Sequence, residues 1–297
     1  MNERPGTTRA AAALAEAPAK TAPQPAGRTG AGHGVPTYRP DVPFLIALGL
    51  IALVYVALIA GMLASLVFYV ELPVVGEVFT NPRYRYAVLL SLTSCSITAV
   101  LSVWVAVPTA YLLTRVEFPG KRLLDAVLDI PIVLPPLVIG LALLMLFQTA
   151  PGRFVQGYVR FTYAVPGVVL AQFMVACAFA IRTMTAAFAE INPRQEQVAM
   201  TLGCSRAQAF WWVVLPEAQR GMVPAATIAW ARAMGEFGPV LVFAGTTAFR
   251  TEVMPTSIFL ELQVGNLGVA AGISIVMVTL AMAVLLLMRM ARGRISV

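Results

Sequence analysis

Two charged residues inside an apolar stretch are the side chains of this sequence best suited to chemistry. Arg232 and Glu236 lie in segment 222–244, whose other residues carry no charge, and Gly235 and Gly238 flank the glutamate. A separation of four residues lets the two side chains pair on one face of a helix. Charges within a membrane-spanning segment usually face a partner, water or a transported ion. The pattern predicts a structural ion pair or a residue pair at a gate or near an anion, and it also fits a proton or ion relay.

The residue types that most enzymes need are scarce in this chain. It has a single histidine, His33, and its three cysteines are scattered, so neither a catalytic constellation nor a metal site nor a disulfide framework is predicted. It has no G-x-x-x-x-G-K-[ST] phosphate loop, and its only lysines are Lys20 and Lys121. We expect no catalytic residue, no metal and no cofactor in this chain, and any ATP would have to be hydrolysed by another polypeptide.

Apolar residues dominate the composition. Hydrophobic residues make up 59% of the 297 residues, charged residues make up 12%, and the mean hydropathy is +0.81. Soluble globular chains do not have this composition. The predicted fold class is all-α, a polytopic membrane protein with six transmembrane helices. The net charge of +7 is explained by basic loops on one side of the membrane, without nucleic-acid binding.

Apolar runs long enough to cross a lipid bilayer recur along the chain. The predicted spans cover about 44–70, 86–113, 123–147, 163–188, 222–244 and 270–288. Residues 1–40 are predicted to be a disordered cytoplasmic tail, and residues 41–297 the transmembrane permease domain. Serine and threonine are frequent in the second span, which favours a buried position. Pro131, Pro135 and Pro136 interrupt the third span, so we expect an interfacial helix that bends into the core.

Basic residues are distributed unevenly between the two sides of the predicted bundle. Without the long tail, loops 114–122 and 182–220 and the carboxyl end together carry ten Lys and Arg residues, and the opposite loops carry five. Basic residues concentrate in cytoplasmic loops. Both termini and the polar loop 190–221 are therefore predicted to be cytoplasmic, in the plasma or inner membrane.

The polar segment between the fourth and fifth spans carries start signals for two short helices. Asn192 before a proline is typical of a helix start, and Gln195 is placed to bond back to this cap. Ser205 begins a second capping pattern, and Gly203 suits the turn between the two helices. Pro216 is expected to end the second helix.

The spacing within this segment resembles the EAA signature of ABC importer permeases. That family has Glu-Ala-Ala, three residues, Gly, nine residues, Ile, one residue and Leu-Pro, and the same spacing here joins Gln197-Val198-Ala199, Gly203, Val213 and Leu215-Pro216. The chain departs from the signature where Gln197 replaces the glutamate and Val198 replaces the first alanine. Glu196 is adjacent and could serve in place of the missing carboxylate.

Two later stretches are similar to the permeases for tetrahedral oxyanions, most of all to the molybdate/tungstate branch. They are Gly235-Glu236-Phe237-Gly238 and segment 246–276. The resemblance implies the type I ABC importer fold and a permease homodimer in the lipid bilayer, with two cytoplasmic ATPase subunits and an external oxyanion-binding protein. Such a subunit would pass molybdate or tungstate inward by alternating access. A sulfate importer of the same fold and an ion-coupled secondary transporter are the alternatives.

The resemblance also implies which residues would act. As a cytoplasmic coupling helix, the polar loop would dock on the ATPase through Glu196, Gln197, Ala199, Leu202, Gly203, Arg206, Leu215 and Pro216. The candidates for the translocation pathway or gate are Arg232, Gly235, Glu236, Gly238, Pro135 and Pro136.

Overall fold

The described part of the chain is helical throughout. A computed structural model describes residues 42–70 and 72–295, and within them no β-strand occurs, which confirms the all-α class. The predicted tail, residues 1–40, lies outside the described residues. The α-helices within the described ranges are α1 (Val42–Tyr69), α2 (Leu72–Thr80), α3 (Pro82–Arg115), α4 (Lys121–Val133), α5 (Pro136–Gln148), α6 (Ala150–Tyr158), α7 (Val165–Glu190), α8 (Pro193–Thr201), α9 (Arg206–Ala209), α10 (Leu215–Met234), α11 (Met254–Val264) and α12 (Leu267–Ile295). Two π-helical turns, Phe210–Val214 and Val240–Ala244, complete them.

Within the described residues, four helices are long and apolar enough to cross a membrane. They are α1, α3, α7 and the Leu267–Met290 part of α12, and the bent pair of α4 and α5 adds a fifth crossing if it is counted as one span. No residue of α1 is buried. Helix α10 falls outside this set, and it carries Glu217, Arg220 and Arg232 within 20 residues. The count of six spans therefore stays a prediction.

The third predicted span breaks at its paired prolines. Helix α4 ends at Val133, Leu134 is extended with ψ of 138°, and α5 begins at Pro136 at an angle of 113° to α4. Leu134 precedes a proline, whose ring disfavours helical backbone at the preceding residue. Pro131, by contrast, lies inside α4 without ending it. The loss of a single backbone N–H removes one hydrogen bond and leaves the remaining turns of α4 paired.

The fifth predicted span is not one continuous helix. Helix α10 ends at Met234, residues 235–237 are non-helical, and a π-helical turn follows at Val240–Ala244. Gly235 is the C-cap of α10. Pro239 has no backbone N–H to continue the ladder of hydrogen bonds across this point.

Helices α3, α7 and α10 form the centre of the bundle. Small side chains lie at their contacts, and Ala106, Ala180 and Ala229 are fully buried. Small residues let helices approach closely in a membrane protein. Buried hydroxyl groups add polar contacts, and the Thr98 hydroxyl of α3 donates to Gln172 of α7 at 3.3 Å. One part of the second predicted span is therefore buried: Ser91, Ser94, Thr98 and Ser102 lie inside the bundle, whereas Thr93 and Ser96 are exposed.

An ion network fastens α11 to the start of α3. The Arg83 Nε atom lies 3.0 and 2.9 Å from the two carboxylate oxygens of Glu252, and Arg83 Nη1 lies 3.2 Å from Glu261. Both glutamates are buried, and Tyr84 and Ser257 donate further hydrogen bonds to them. The network fixes the segment before α12 at the end of the bundle where α3 begins.

Candidate functional site: the polar loop and the crossing of two broken helices

The polar loop folds as two helices joined by a glycine turn, as its sequence predicts. The Asn192 side chain caps α8, and Ser205 forms a complete capping box at the start of α9. Gly203 has φ of +95°, a backbone conformation that side chains with a Cβ atom rarely adopt. The predicted bond from Gln195 back to the first cap is absent, because its side chain donates to Glu217 of α10 at 3.4 Å.

Pro216 does not end the second helix, which corrects the prediction. Helix α9 passes through the π-helical turn into α10, and Pro216 lies in the first turn of α10. In the π-helical turn the Leu215 N–H bonds to the Phe210 carbonyl, five residues back. A proline is tolerated at a helix start, where its missing N–H has no partner to lose. The polar loop is thus continuous with a core helix.

A buried glutamate holds the polar loop against α3. Glu196 is 5% exposed and accepts a hydrogen bond of 2.5 Å from the Tyr111 hydroxyl. The Nε atoms of Arg115 and Arg206 each lie 3.8 Å from its carboxylate. Arg115 also donates to the Ile191 carbonyl at 2.6 Å. Because these partners come from α3 and from α9, Glu196 fixes the orientation of α8.

The predicted docking residues divide into an inner and an outer set. Glu196 and Ala199 are buried, so any part they have in docking consists of holding the loop in place. Leu202 is 81% exposed and Val198 is 56% exposed. The other outer residues are Gln197, Gly203, Arg206 and Pro216, while Leu215 is half-buried. Val198 and Leu202, four positions apart, thus form a small exposed apolar surface among the polar residues of the loop.

The breaks in the third and fifth predicted spans touch each other. A Cβ atom on Gly238 would lie 3.1 Å from the Leu137 nitrogen and 3.2 Å from the Pro136 ring, and one on Gly140 would lie 2.8 Å from Pro239 Cα. Both glycines are therefore required for this close backbone contact. Of the predicted pathway residues, Pro136 and Gly238 are thus brought together.

The two charged residues beside this crossing pair with each other. Arg232 Nη2 lies 2.9 Å from Glu236 Oε1, which confirms that they form an ion pair. Glu236 is buried, whereas 42% of the Arg232 side chain is exposed. The Arg232 guanidinium also lies over the Phe179 ring, with 4.8 Å between Cζ and the ring centroid. The pair presents a partly accessible positive charge next to the crossing.

The polar loop and the crossing lie at opposite ends of α10. The helix has 20 residues, so its ends are roughly 30 Å apart. Sequence reasoning missed the partners that come from other helices, above all Tyr111 and Arg115 of α3. No motif marks these residues, although a charge at the end of a long apolar helix is a usable signal. Within the described residues, no group of three His, Cys, Asp or Glu side chains converges on a possible metal position.

The bundle consists of membrane-length helices. Two broken segments meet inside it, and a helix pair is exposed at one end. Together these features are typical of a transport permease. The chain belongs to the family of the binding-protein-dependent transport system inner membrane component, and the match covers residues 99–297. It is therefore a permease subunit of an ABC transporter and not an enzyme.

Relatives with described roles are about one-third identical to this chain over the aligned residues. The sulfate transport system permease protein CysT of Salmonella typhimurium is 35% identical over 214 residues, which are 71% of this chain and 76% of CysT. The molybdenum transport system permease protein ModB of Escherichia coli K12 is 33% identical over 221 residues, which are 71% of this chain and 93% of ModB.

A solved structure shares the fold. It is a permease chain in the crystal structure of a bacterial alginate ABC transporter in complex with its alginate pentasaccharide-bound periplasmic protein. The TM-score is 0.69 at 18% identity, over 86% of this chain and 94% of that chain. This likeness confirms the predicted type I ABC importer fold. The family assignment also sets aside the alternative of an ion-coupled secondary transporter.

Proposed function

We propose that this chain is the membrane-spanning half of an ATP-driven importer that passes a tetrahedral oxyanion into the cell by alternating access. Molybdate and tungstate are the first candidates, because the resemblance of segment 235–276 is strongest to that branch. Sulfate is the second candidate, since sulfate permeases are among the relatives with about a third of identical residues.

The observation that carries this proposal is that α8 is exposed on a polar loop that three core helices hold in place. Helices α7 and α10 meet at the base of the polar loop, where Gly221 lies so close to Ala187 that no methyl group would fit. Glu196 ties the loop to α3 at the same place. A push or pull on α8 is therefore transmitted to three core helices, which is what coupling to an ATPase requires.

Alternating access follows from this attachment of α8 to the core helices. ATP binding would close two cytoplasmic ATPase subunits, and the docked polar loops of two permease copies would move with them. Helices α7 and α10 would then tilt as rigid bodies and change the contact between the two helix breaks. The permeation path would open to the outside in one state and to the cytoplasm in the other. This chain needs no cofactor of its own, since ATP is held by its partner.

Weak contacts suit the passage of a divalent anion. Non-helical backbone at membrane depth persists where protein or a water-filled path surrounds it. The breaks at residues 134–135 and 235–237 supply such backbone, and Arg232 supplies a positive charge that Glu236 partly neutralises. A full positive charge would hold the anion too tightly for rapid release. Selection among oxyanions would then rest mainly with an external binding protein.

The partners and the topology belong to the same proposal. The importer would contain two copies of this chain, two ATPases and an external oxyanion-binding protein. Both termini and the polar loop would lie in the cytoplasm, where the excess of basic residues favours them.

The first test of this proposal is ATP hydrolysis by the whole complex in lipid. The chain is assembled with its ATPase and binding protein, and molybdate, tungstate and sulfate are added in turn. Stimulation by molybdate or tungstate but not by sulfate supports the main candidate, and the reverse selects the sulfate importer. An ATPase that neither binds this chain nor responds to any oxyanion would refute the function.

A single substitution tests the docking surface. Leu202→Ser changes an apolar side chain that is 81% exposed, so the fold should be unaffected while ATPase binding weakens at least tenfold, which is about 1.4 kcal/mol. Val264→Ser is the matched control, because Val264 is 74% exposed in α11 at the end of the bundle where α3 begins. Equal ATPase affinity in both variants would show that α8 does not dock.

A further inference from the structure

Helix α4 lies between two non-helical joints. Gly120 precedes it with φ of +88°, and the extended Leu134 follows it. Helix α5 then departs at 113°. A 13-residue helix bounded in this way can turn as one rod unless another element holds it.

The element that holds α4 is α7. One side of α4 faces α7, and Leu124 and Leu128 on that side are partly buried against the core. No residue of α4 is buried, so this apolar contact is small. Asp125 and Asp129 share the same face and both bind Arg182 of α7.

The contact between Arg182 and the two aspartates uses most of the guanidinium. Nη1 lies 2.7 Å from Asp125 Oδ1, Nε lies 2.5 Å from Asp129 Oδ1, and Nη2 binds Asp129 Oδ2. Nη2 also donates to the Asp125 backbone carbonyl at 3.1 Å. A fork bound on two adjacent turns fixes both the position and the rotation of α4. We call this group the Arg182 clamp.

The clamp connects the polar loop to the helix crossing. Arg182 lies eight residues before the end of α7, where the polar loop begins. Asp129 lies six residues before Pro135, and the neighbouring Pro136 touches Gly238. A displacement of α7 therefore reaches Pro135 through α4, in addition to the direct packing of α7 on α5 and on the π-helical turn at Val240–Ala244.

We infer that Arg182 is a positioning residue for transport: it fastens α4 to α7, so that movement of the polar loop reaches the Pro135–Pro136 break. This inference rests on the proposed importer function. The clamp stays closed through the transport cycle, and α4 moves with α7 as one body. Without it, the ATPase still docks and turns over, but the Pro135–Pro136 break follows α7 only through the direct packing of α7 on α5, and uptake per ATP falls.

Neutral variants of the clamp test the inference in the whole complex. Asp125→Asn with Asp129→Asn keeps the shape of both side chains and removes the charges that Arg182 binds. We expect normal assembly and basal ATP hydrolysis, and a loss of about tenfold in oxyanion uptake per ATP, within the usual range of coupling between sites. Arg182→Lys should retain part of the coupling, because a positive charge remains without the fork.

The matched control removes a charge pair that joins no two helices. Lys121 and Glu117 are 2.6 Å apart at the start of α4 and lie four residues from each other. Lys121→Gln with Glu117→Gln should leave uptake per ATP unchanged. The same loss in this control and in the clamp variant would show that general charge near α4 matters, and would overturn the inference.

A covalent bridge distinguishes a permanent link from a latch. Asp129→Cys with Arg182→Cys, in a chain whose native cysteines are replaced, is joined by a short bifunctional thiol reagent. Because the clamp stays closed, bridging should restore uptake that the unbridged variant has lost. Blocked uptake after bridging would overturn the inference. Uptake absent in the unmodified complex would refute the importer function and this inference with it, whereas normal coupling in the Asn variant would refute the clamp alone.

Discussion

The anchoring of the polar loop by Glu196 leads to a quantitative prediction. Glu196→Ala removes the acceptor of the Tyr111 hydroxyl and the carboxylate that faces Arg115. A hydrogen bond to a charged group is worth about 1.5–3 kcal/mol, and breaking a fully buried ion pair costs about 3–5 kcal/mol. The arginines lie at 3.8 Å, Arg206 is more than half exposed, and Arg115 keeps its backbone carbonyl partners. We therefore use the lower end of the ion-pair range. Glu196→Ala should reduce the free energy that holds the polar loop against α3 by about 3 kcal/mol.

Amide hydrogen exchange of the chain in lipid measures this loss. The loss corresponds to a factor of roughly 100 in the opening equilibrium, so the α8 amides should exchange faster by that factor. Glu196→Gln keeps an acceptor for Tyr111 and should show a smaller increase. Glu190→Ala is the control, since Glu190 is an exposed carboxylate at the end of α7.

Two results would refute this reasoning. Unchanged exchange in α8 after Glu196→Ala would mean that the loop is held by its other contacts alone. An equal increase in the Glu190→Ala control would mean that exchange there responds to charge in general. In either case the buried carboxylate would not be the anchor.

Three further predictions concern stability. Gly140→Ala should lower the free energy of unfolding by about 1–3 kcal/mol, because the new Cβ atom would lie 2.8 Å from the Pro239 backbone. Gly157→Ala is the control, because its Cβ atom would enter open space and should lower this free energy less. Thermal unfolding in detergent compares the two variants. Glu252→Gln should cost about 2 kcal/mol in the same assay, because Glu252 is 1% exposed and bound to an arginine, and Glu77→Gln on the exposed side of α2 should be neutral. Ser205→Ala should destabilise the start of α9 by about 1 kcal/mol, seen as faster local amide exchange without a change in the melting temperature. Equal unfolding free energies for Gly140→Ala and Gly157→Ala, or for Glu252→Gln and Glu77→Gln, would contradict the corresponding contact. Unchanged amide exchange after Ser205→Ala would contradict the capping role of Ser205.

Local chemistry is the part of this structure that the sequence predicts well. The cap at Ser205, the turn at Gly203, the break before Pro136 and the pairing of Arg232 with Glu236 all depend on residues within a few positions of one another. Such features are determined by backbone sterics and by helix periodicity, which a single sequence displays directly.

Contacts between distant segments are the part that the sequence did not predict. Glu196 turns inward because Ala199, one turn away, is small and packs on the same side, and only the fold shows that Tyr111 and Arg115 lie there. The distribution of basic residues places Arg182 in a cytoplasmic loop, whereas in the structure it binds two aspartates more than fifty residues away. The rotation of one helix relative to another decides these pairs, and no short-range pattern reports that rotation.

The π-helical turn at Phe210–Val214 has a consequence for the evolution of the polar loop. Each residue of an α-helix advances the chain by about 100° around the helix axis. One extra residue in a turn therefore rotates the preceding segment by about 100° relative to the helix that follows. The extra residue lies between the exposed part of the polar loop and the buried face of α10. Deleting one residue there would keep both helices but point α8 in a different direction around the axis of α10. The nine-residue interval between Gly203 and Val213 therefore specifies an angle as well as a length, and related permeases that keep their partners should tolerate substitution within it far better than a change in its length.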